Sequence, residues 1–314
     1  MTAAPEALEQ LEVEEVGAEE AELITGIIHE AFANRPPLDP PSTAMEETAQ
    51  TVGSALAAHG GLLARLDGQP VGALLFEPVG DSMLLRRVSV SPDAQKHGVA
   101  RVLRAEAEEE AWRRGFRRVH VRARSELPAT VRFWTRGGYS TVAETDTLLT
   151  MTKELPAERE VPTAEDMRAL GERLAEHLRP GDLVILSGDL GAGKTTLTQG
   201  IGAGLHVRGE VTSPTFVISR IHPSLVDGPP LVHVDAYRLG GLAELDDLDL
   251  DVSVEDSVTV VEWGTGLAES LADDRLEITV GRSTGGASEA DRRTVRVQPV
   301  GARWVGSDVV AVVA

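Results

Sequence analysis

Residues Gly188 to Thr195 read GDLGAGKT and match G-x-x-x-x-G-K-[ST]. Each residue type in that spacing has a chemical use. Glycines let successive backbone N–H groups turn inward around a phosphate chain. A lysine brings a cation to the terminal phosphates, and a hydroxyl at the start of the following helix offers a hard oxygen to Mg2+. The candidate nucleotide ligands are therefore Gly188, Asp189, Gly191, Ala192, Gly193, Lys194, Thr195 and Thr196. A phosphate cradle binds, but hydrolysis also needs acids to hold the metal and orient water. Two apolar runs end in such acids: PLVHVDAYRL supplies Asp235 and SVTVVEWG supplies Glu262. Either carboxylate alone could be solvated at a strand end, but two of them downstream of the glycine loop make Lys194, Asp235 and Glu262 a catalytic set. Which of the two acids meets the metal beside Thr195 and which stands nearer the attacking water the residues alone leave open; Glu262 is favoured for the metal and Asp235 for the water.

A second, weaker phosphate signal lies earlier. Gln95, Lys96, His97, Gly98, Val99 and Ala100 fit Q/R-x-x-G-x-G/A between a strand ending near Val90 and a helix. Gly98 permits close approach, and the backbone N–H groups of that turn can hold a pyrophosphate at the positive end of the helix dipole. Alone, the hexapeptide is a weak signal, better read as a bland turn into a helix.

The elements that must position these residues follow from the pattern. LVILS before the glycine loop is a short β-branched strand, and a helix follows it. Upstream, Met167, Leu170, Leu174 and Leu178 recur at helical spacing behind Thr163 and Asp166, a helix start. LEITV and RTVRVQPVG near the end read as an antiparallel hairpin. In the first half, GLLARL, PVGALLFEPV and SMLLRRVSV are strands separated by DGQ and GDS turns. Between the halves, residues 151–161 lose their apolar periodicity. The expected division is a first domain at 1–153, a linker at 154–161 and a second domain at 162–314. The fold class is α/β throughout, a mixed sheet with helices in front and a P-loop sheet behind. The acidic N-terminal stretch is expected to be a mobile tail.

Composition narrows the partners. The formal net charge is −20 over 314 residues, with 30 basic and 50 acidic side chains. A chain gripping RNA through its own surface should carry a basic field, so any tRNA connection is expected to be indirect. Residues 86–124 run against the trend, with a local basic surplus suited to a small phosphate-rich ligand. There is no cysteine, which excludes disulfides and thiolate metal sites and fits a reducing compartment. The expectation is a cytoplasmic protein with no membrane partner.

Two resemblances sharpen the reading. The blocks SGDLGAGKTTLTQG, VTSPTFVI, HVDAYRL and VVEWG, in that order, resemble the TsaE family across residues 162–314. The resemblance implies an Mg2+-dependent ATPase that supports threonylcarbamoyladenosine formation in tRNA together with TsaD-like and TsaB-like proteins. It implies that residues 212–216 sense the γ-phosphate, Thr215 among them; Trp263, Tyr237 and Arg238 lie beside the acids and either touch nucleotide or partner or serve packing alone. Residues 10–153 resemble the GNAT acetyltransferases, on the hexapeptide, the later strand VHVRAR, Phe133-Trp134 and Gly138-Tyr139. This implies that acetyl-CoA binds at Val90 and 95–100 and is used on an unknown acceptor. The departures are Leu127, where many members have a cofactor-binding asparagine, and Trp134, where they have a tyrosine acid. An indole N–H cannot protonate a departing thiolate at neutral pH. Glu77 is a candidate base. The alternatives are a front domain that senses acyl-CoA without chemistry, and a rear domain that is a P-loop kinase.

Overall fold

The computed structural model describes residues 11–214, 217–238, 255–282 and 292–313. It separates into two compact units, Met1–Leu155 and Pro156–Ala314.

The first unit is one seven-stranded sheet in the order β1-β2-β3-β4-β5-β7-β6. In chain order its strands are β1 (Leu11–Val16), β2 (Gly61–Leu66), β3 (Gln69–Val79), β4 (Ser82–Val90), β5 (Arg118–Arg124), β6 (Ser140–Thr145) and β7 (Leu148–Glu154). Helices α1 (Ala21–Ala33) and α2 (Ala49–His59) cover one face, while α3 (Val99–Arg113) and α4 (Pro128–Arg136) cover the other. Strand alternation produces this division: Leu63, Ala73 and Leu75 pack under α1 and α2, and their neighbours Leu62, Leu74 and Phe76 pack under α3 and α4. The acidic stretch expected to be mobile is in part a strand, since residues 11–16 pair along the whole of β2.

All neighbours in this sheet are antiparallel except β4 and β5. These two run parallel and are bonded only from Ser82–Leu85 to Arg118–Val121, after which they part. At the parting β4 carries a bulge: Ala73 faces Ser89 and Leu75 faces Arg86, so Arg87 and Val88 together oppose one residue of β3. Arg87 takes a left-handed φ of 51°, unusual for a residue with a Cβ and consistent with bulge geometry. Beyond Leu85 and Val121 the two strands leave an opening in the sheet.

The second unit holds β8 (Ala157–Val161), α5 (Ala164–Ala175), β9 (Leu183–Ser187), α6 (Lys194–Gly204), β10 (Ser219–His222), β11 (Leu231–Asp235), β12 (Val258–Glu262), β13 (Arg275–Arg282) and β14 (Arg293–Val300). Its sheet order is β10-β11-β12-β9-β13-β14-β8, with β11, β12, β9 and β13 mutually parallel. The central strands are buried on both faces, which explains why LVILS, LVHVD and VTVVE are near-continuous apolar runs. Thr163 caps α5 by accepting from the N–H of Asp166 at 3.0 Å. α5 then lies close against α6, where a Cβ at Gly200 would stand 2.1 Å from the Arg168 carbonyl oxygen. The segment expected to be a linker is not one throughout. Its residues 157–161 form β8, which pairs with β14 from Val161↔Arg293 to Ala157↔Val297.

Candidate functional sites

Parallel strands bring their carboxyl ends to one edge of a sheet, and that edge is where α/β sheets bind ligands. Here Asp235 ends β11, Glu262 ends β12 directly beside it in register, and the glycine loop leaves β9 next to Glu262. Sequence spacing alone therefore becomes three-dimensional proximity through the register of three strands.

The loop needs its glycines. Gly188 has φ 133°, and a Cβ there would lie 2.1 Å from the Val280 carbonyl oxygen; Gly193, which caps α6, has φ 119°. Lys194 donates to the carbonyls of Gly188 at 2.7 Å and Asp189 at 3.0 Å, which holds its ammonium across the loop. The Thr195 hydroxyl donates to Glu262 Oε2 at 3.1 Å, so the two residues assigned to the metal already share one point in space. Glu262 Oε1 meets His233 Nε2 at 2.9 Å, a buried contact that fixes the carboxylate's orientation. Asp235 accepts from the Ser213 hydroxyl at 2.8 Å and from the N–H of Tyr237 at 3.1 Å.

Lys194, Asp235 and Glu262 are only 4 %, 4 % and 3 % exposed, so their mutual electrostatics act largely outside bulk water. Burial lowers the affinity of the Lys194 ammonium for its proton, against the opposing pull of Glu262, Asp235 and Asp189. The Trp263 ring lies over that ammonium at 3.7 Å from its centroid, and Tyr237 stacks beside the ring at 5.1 Å. Trp263 itself has φ 63°, a strained backbone costing about 1–3 kcal/mol that its surroundings must enforce. Its N–H bond to the Leu186 carbonyl at 2.8 Å is one such constraint.

Ala192 is buried in the core, and Thr196 follows in the first turn of α6. Thr215 lies outside the described residues, as does Phe216. Sequence reasoning missed three residues. His233 was visible only as part of a strand, and its contact with Glu262 depends on strand register. Arg282 donates to the Gly191 carbonyl at 2.8 Å, and Arg293, its register partner on the hairpin, stands 3.5 Å from where a Gly193 Cβ would be. The hairpin, read from the sequence only as a structural addition to the sheet, brings two guanidinium groups to the phosphate loop.

In the first unit, a cleft of about 1020 Å3 occupies the opening between β4 and β5. Val90, Gln95 and Ala100 line it; Lys96 and His97 belong to the turn, and Gly98 caps α3 with φ 82°. Val99 turns its side chain into the core at 1 % exposure, so only its backbone can serve a ligand. The first N–H groups of α3 have no carbonyl one turn earlier, the donor arrangement a pyrophosphate needs. Leu127 and Trp134 also line the cleft, whereas Tyr139 is buried in the core, edge-on to Trp134 at 4.9 Å. Glu77 lines the cleft too, but its carboxylate is engaged by Arg86 at 2.8 Å.

A splayed mixed sheet with a phosphate turn, followed by a parallel sheet with a Walker loop and two strand-end acids, defines an acetyltransferase-type unit joined to a P-loop nucleotide-binding unit. The model of the family described as threonylcarbamoyl adenosine biosynthesis protein TsaE matches residues 161–293, and that of the acetyltransferase (GNAT) family matches residues 27–139. A Streptomyces coelicolor protein named tRNA threonylcarbamoyladenosine biosynthesis protein TsaE is 65% identical over 144 residues, covering 46% of this chain and 97% of that one. This chain belongs to the TsaE family, with a GNAT-like domain preceding the family's own. Among solved structures, Bacillus subtilis YdiB is 32% identical with a TM-score of 0.38, over 48% of this chain and 89% of that one. The PaiA N-acetyltransferase from Thermoplasma acidophilum, in complex with coenzyme A, is 15% identical with a TM-score of 0.42, over 46% and 98%.

Proposed function

We propose that the second unit is an Mg2+-dependent ATPase that supports threonylcarbamoyladenosine formation in tRNA by acting on TsaD-like and TsaB-like proteins, and that the first unit transfers an acetyl group from acetyl-CoA to an amine. The observation that carries the ATPase reading is the meeting of Lys194, Thr195 and Glu262 at the end of β9 and β12. The donor set fits the metal, because a hydroxyl and a carboxylate 3.1 Å apart are both hard oxygens of the type Mg2+ takes alongside phosphates and water. When bound, Mg2+ neutralises charge between the terminal phosphates of ATP. The chain's own residues do the rest. Loop N–H groups and Lys194 orient the triphosphate, His233 holds Glu262 in place, and Asp235 positions the attacking water. Arg282 and Arg293 reach the same loop from the hairpin. The acidic surface leaves direct contact with tRNA to the partners, and the setting is cytoplasmic. Among the described residues no helix is long and apolar enough to cross a membrane. Phosphate release from MgATP, measured with and without TsaD-like and TsaB-like proteins, tests this reading. Transfer of phosphate to a small molecule would replace it with a kinase.

For the first unit, the reaction is attack of a neutral amine nitrogen on the thioester carbon. The C–N bond forms, the C–S bond breaks, and the proton lost by the amine is matched by one taken up by the coenzyme thiolate. Proximity supplies much of the catalysis in such a transfer. Trp134 in the cleft gives no acid to the leaving thiolate, an observation that favours a second reading, binding of acyl-CoA without transfer. Gly98→Asp places a carboxylate and bulk against the pyrophosphate turn, at a φ that disfavours side chains. Its expected result is at least a tenfold loss (~1.4 kcal/mol) of acetyl-CoA affinity by calorimetry. Unchanged affinity removes the site. Coenzyme A thiol release in the presence of amines separates the transferase from the sensor.

A further inference from the structure

The two ends of the cleft in the first unit differ in chemistry. The phosphate turn belongs to α3 and lies on the α3/α4 face of the sheet. On the α1/α2 face, strand alternation sets a different group. Leu85 of β4 packs toward α3, so Arg86 points the other way; on β5, Val121 and Ala123 pack toward α3, so Arg122 and Arg124 point away from it. The segment after α1 adds Arg35, and the bulge adds Arg87. Among the described residues five arginines thus line the cleft, against Glu77 as the one carboxylate.

Several of these cations are already satisfied. Arg86 pairs with Glu77 at 2.8 Å, Arg87 with Glu47 at 2.8 Å, and Arg124 with Glu126 at 2.7 Å. Arg124 also donates to the carbonyls of Asp39 and Pro40 at 2.8 and 2.9 Å, tying the α1–α2 segment to the end of β5. Among the described residues neither Arg35 nor Arg122 forms an ion pair. Arg35 is the more constrained. Its guanidinium stacks on Phe32 at 3.6 Å, makes a 3.5 Å bond to the Val88 carbonyl at the bulge, and is partly withdrawn from water. Its proton is held less tightly because of that burial and because Arg87 is a neighbouring cation. A desolvated cation beside another cation is a costly arrangement unless an anion completes it.

We infer that the first unit's acyl acceptor is a carboxylate-bearing amine, such as the amino terminus of an acidic peptide, whose carboxylate is gripped by Arg35 and Arg122 on the α1/α2 side of the cleft. The inference rests on the transferase reading and names its substrate class. The cofactor's pyrophosphate does not account for these arginines, since its turn lies on the opposite face of the sheet. The acceptor would thus enter from the α1/α2 side through the gap between β4 and β5. Its amine would reach the thioester while its carboxylate stays on the near side, where a guanidinium can bind it bidentately.

The test uses the full chain and three peptides ending in an amide: Ala-Asp-Glu-Ala-Ala, its isostere Ala-Asn-Gln-Ala-Ala, and Ala-Lys-Lys-Ala-Ala. Calorimetry measures acetyl-CoA affinity first, then peptide affinity with coenzyme A present. The acidic peptide should bind about tenfold or more tighter than the amide isostere, the yield of one charge-assisted pair, with the lysine peptide weakest. Arg35→Gln and Arg122→Gln should each erode that preference and leave acetyl-CoA affinity unchanged, which also reports an intact fold. Equal affinities, a preference for lysine, or no peptide binding while acetyl-CoA binds overturns the inference and leaves the cofactor site standing. Loss of acetyl-CoA affinity in Arg35→Gln reassigns the guanidinium to the cofactor and overturns it as well. Failure of the unaltered chain to bind acetyl-CoA sinks the transferase reading itself, and this inference with it.

Discussion

Lys194→Ala is expected to lower ATP hydrolysis by ~10²–10³-fold, the scale of losing one preorganised charge at a transition state, while the unit still folds. Three acids, Glu262, Asp235 and Asp189, each act on the ammonium electrostatically. Removing it leaves those charges to face the incoming phosphates with one cation fewer between them, so nucleotide affinity should fall together with turnover. The fold should survive because the bonds Lys194 makes go to carbonyls of the loop, not to the sheet that carries the core. Phosphate release and a thermal melt on the same sample check both halves of this expectation. Turnover at the level of the unaltered chain would remove the assignment of the loop as the catalytic nucleotide site.

Glu262→Gln should cost about 10²-fold in hydrolysis by the same reasoning, with a distinguishing sign in the metal dependence. Glutamine can still meet His233 and Thr195, so the local packing persists, but the negative charge that draws Mg2+ is gone. The Mg2+ concentration for half-maximal turnover should therefore rise. Asp235→Asn provides the contrast, because Asp235 bonds the Ser213 hydroxyl and the Tyr237 N–H, whereas Glu262 is the acid that meets Thr195. It should lose turnover with the Mg2+ midpoint unmoved. A shifted midpoint in Asp235→Asn and none in Glu262→Gln would exchange the two roles.

What the sequence conveyed of this site, and what it withheld, follows from the range of the interactions involved. The P-loop is legible because all its parts lie within eight residues, and its flanking strand and helix have distinct periods. Asp235 and Glu262 are legible because each stops a buried apolar run. The contacts of His233, Arg282 and Arg293 are set by which residue faces which across strands, a relation no local pattern encodes. In the first unit the three central strands are clear from their turns, but β1 reads LEVEEV, where acids on the exposed side masked a period of two. Arg35 follows a helix with no motif around it, and its significance appears only once the sheet opens beside it.

The short strand at 157–161 bears on how the chain can be divided for study. The family match begins at its last residue, and a fragment begun at 162 looks natural from the sequence. Such a fragment would strip the outermost ribbon from its sheet and leave the N–H and C=O groups that residues 293–297 turn toward it without their mates. An open border of that kind invites sticking between molecules. The second unit is therefore best excised at Leu155 or Pro156, keeping the piece that looks like mere string.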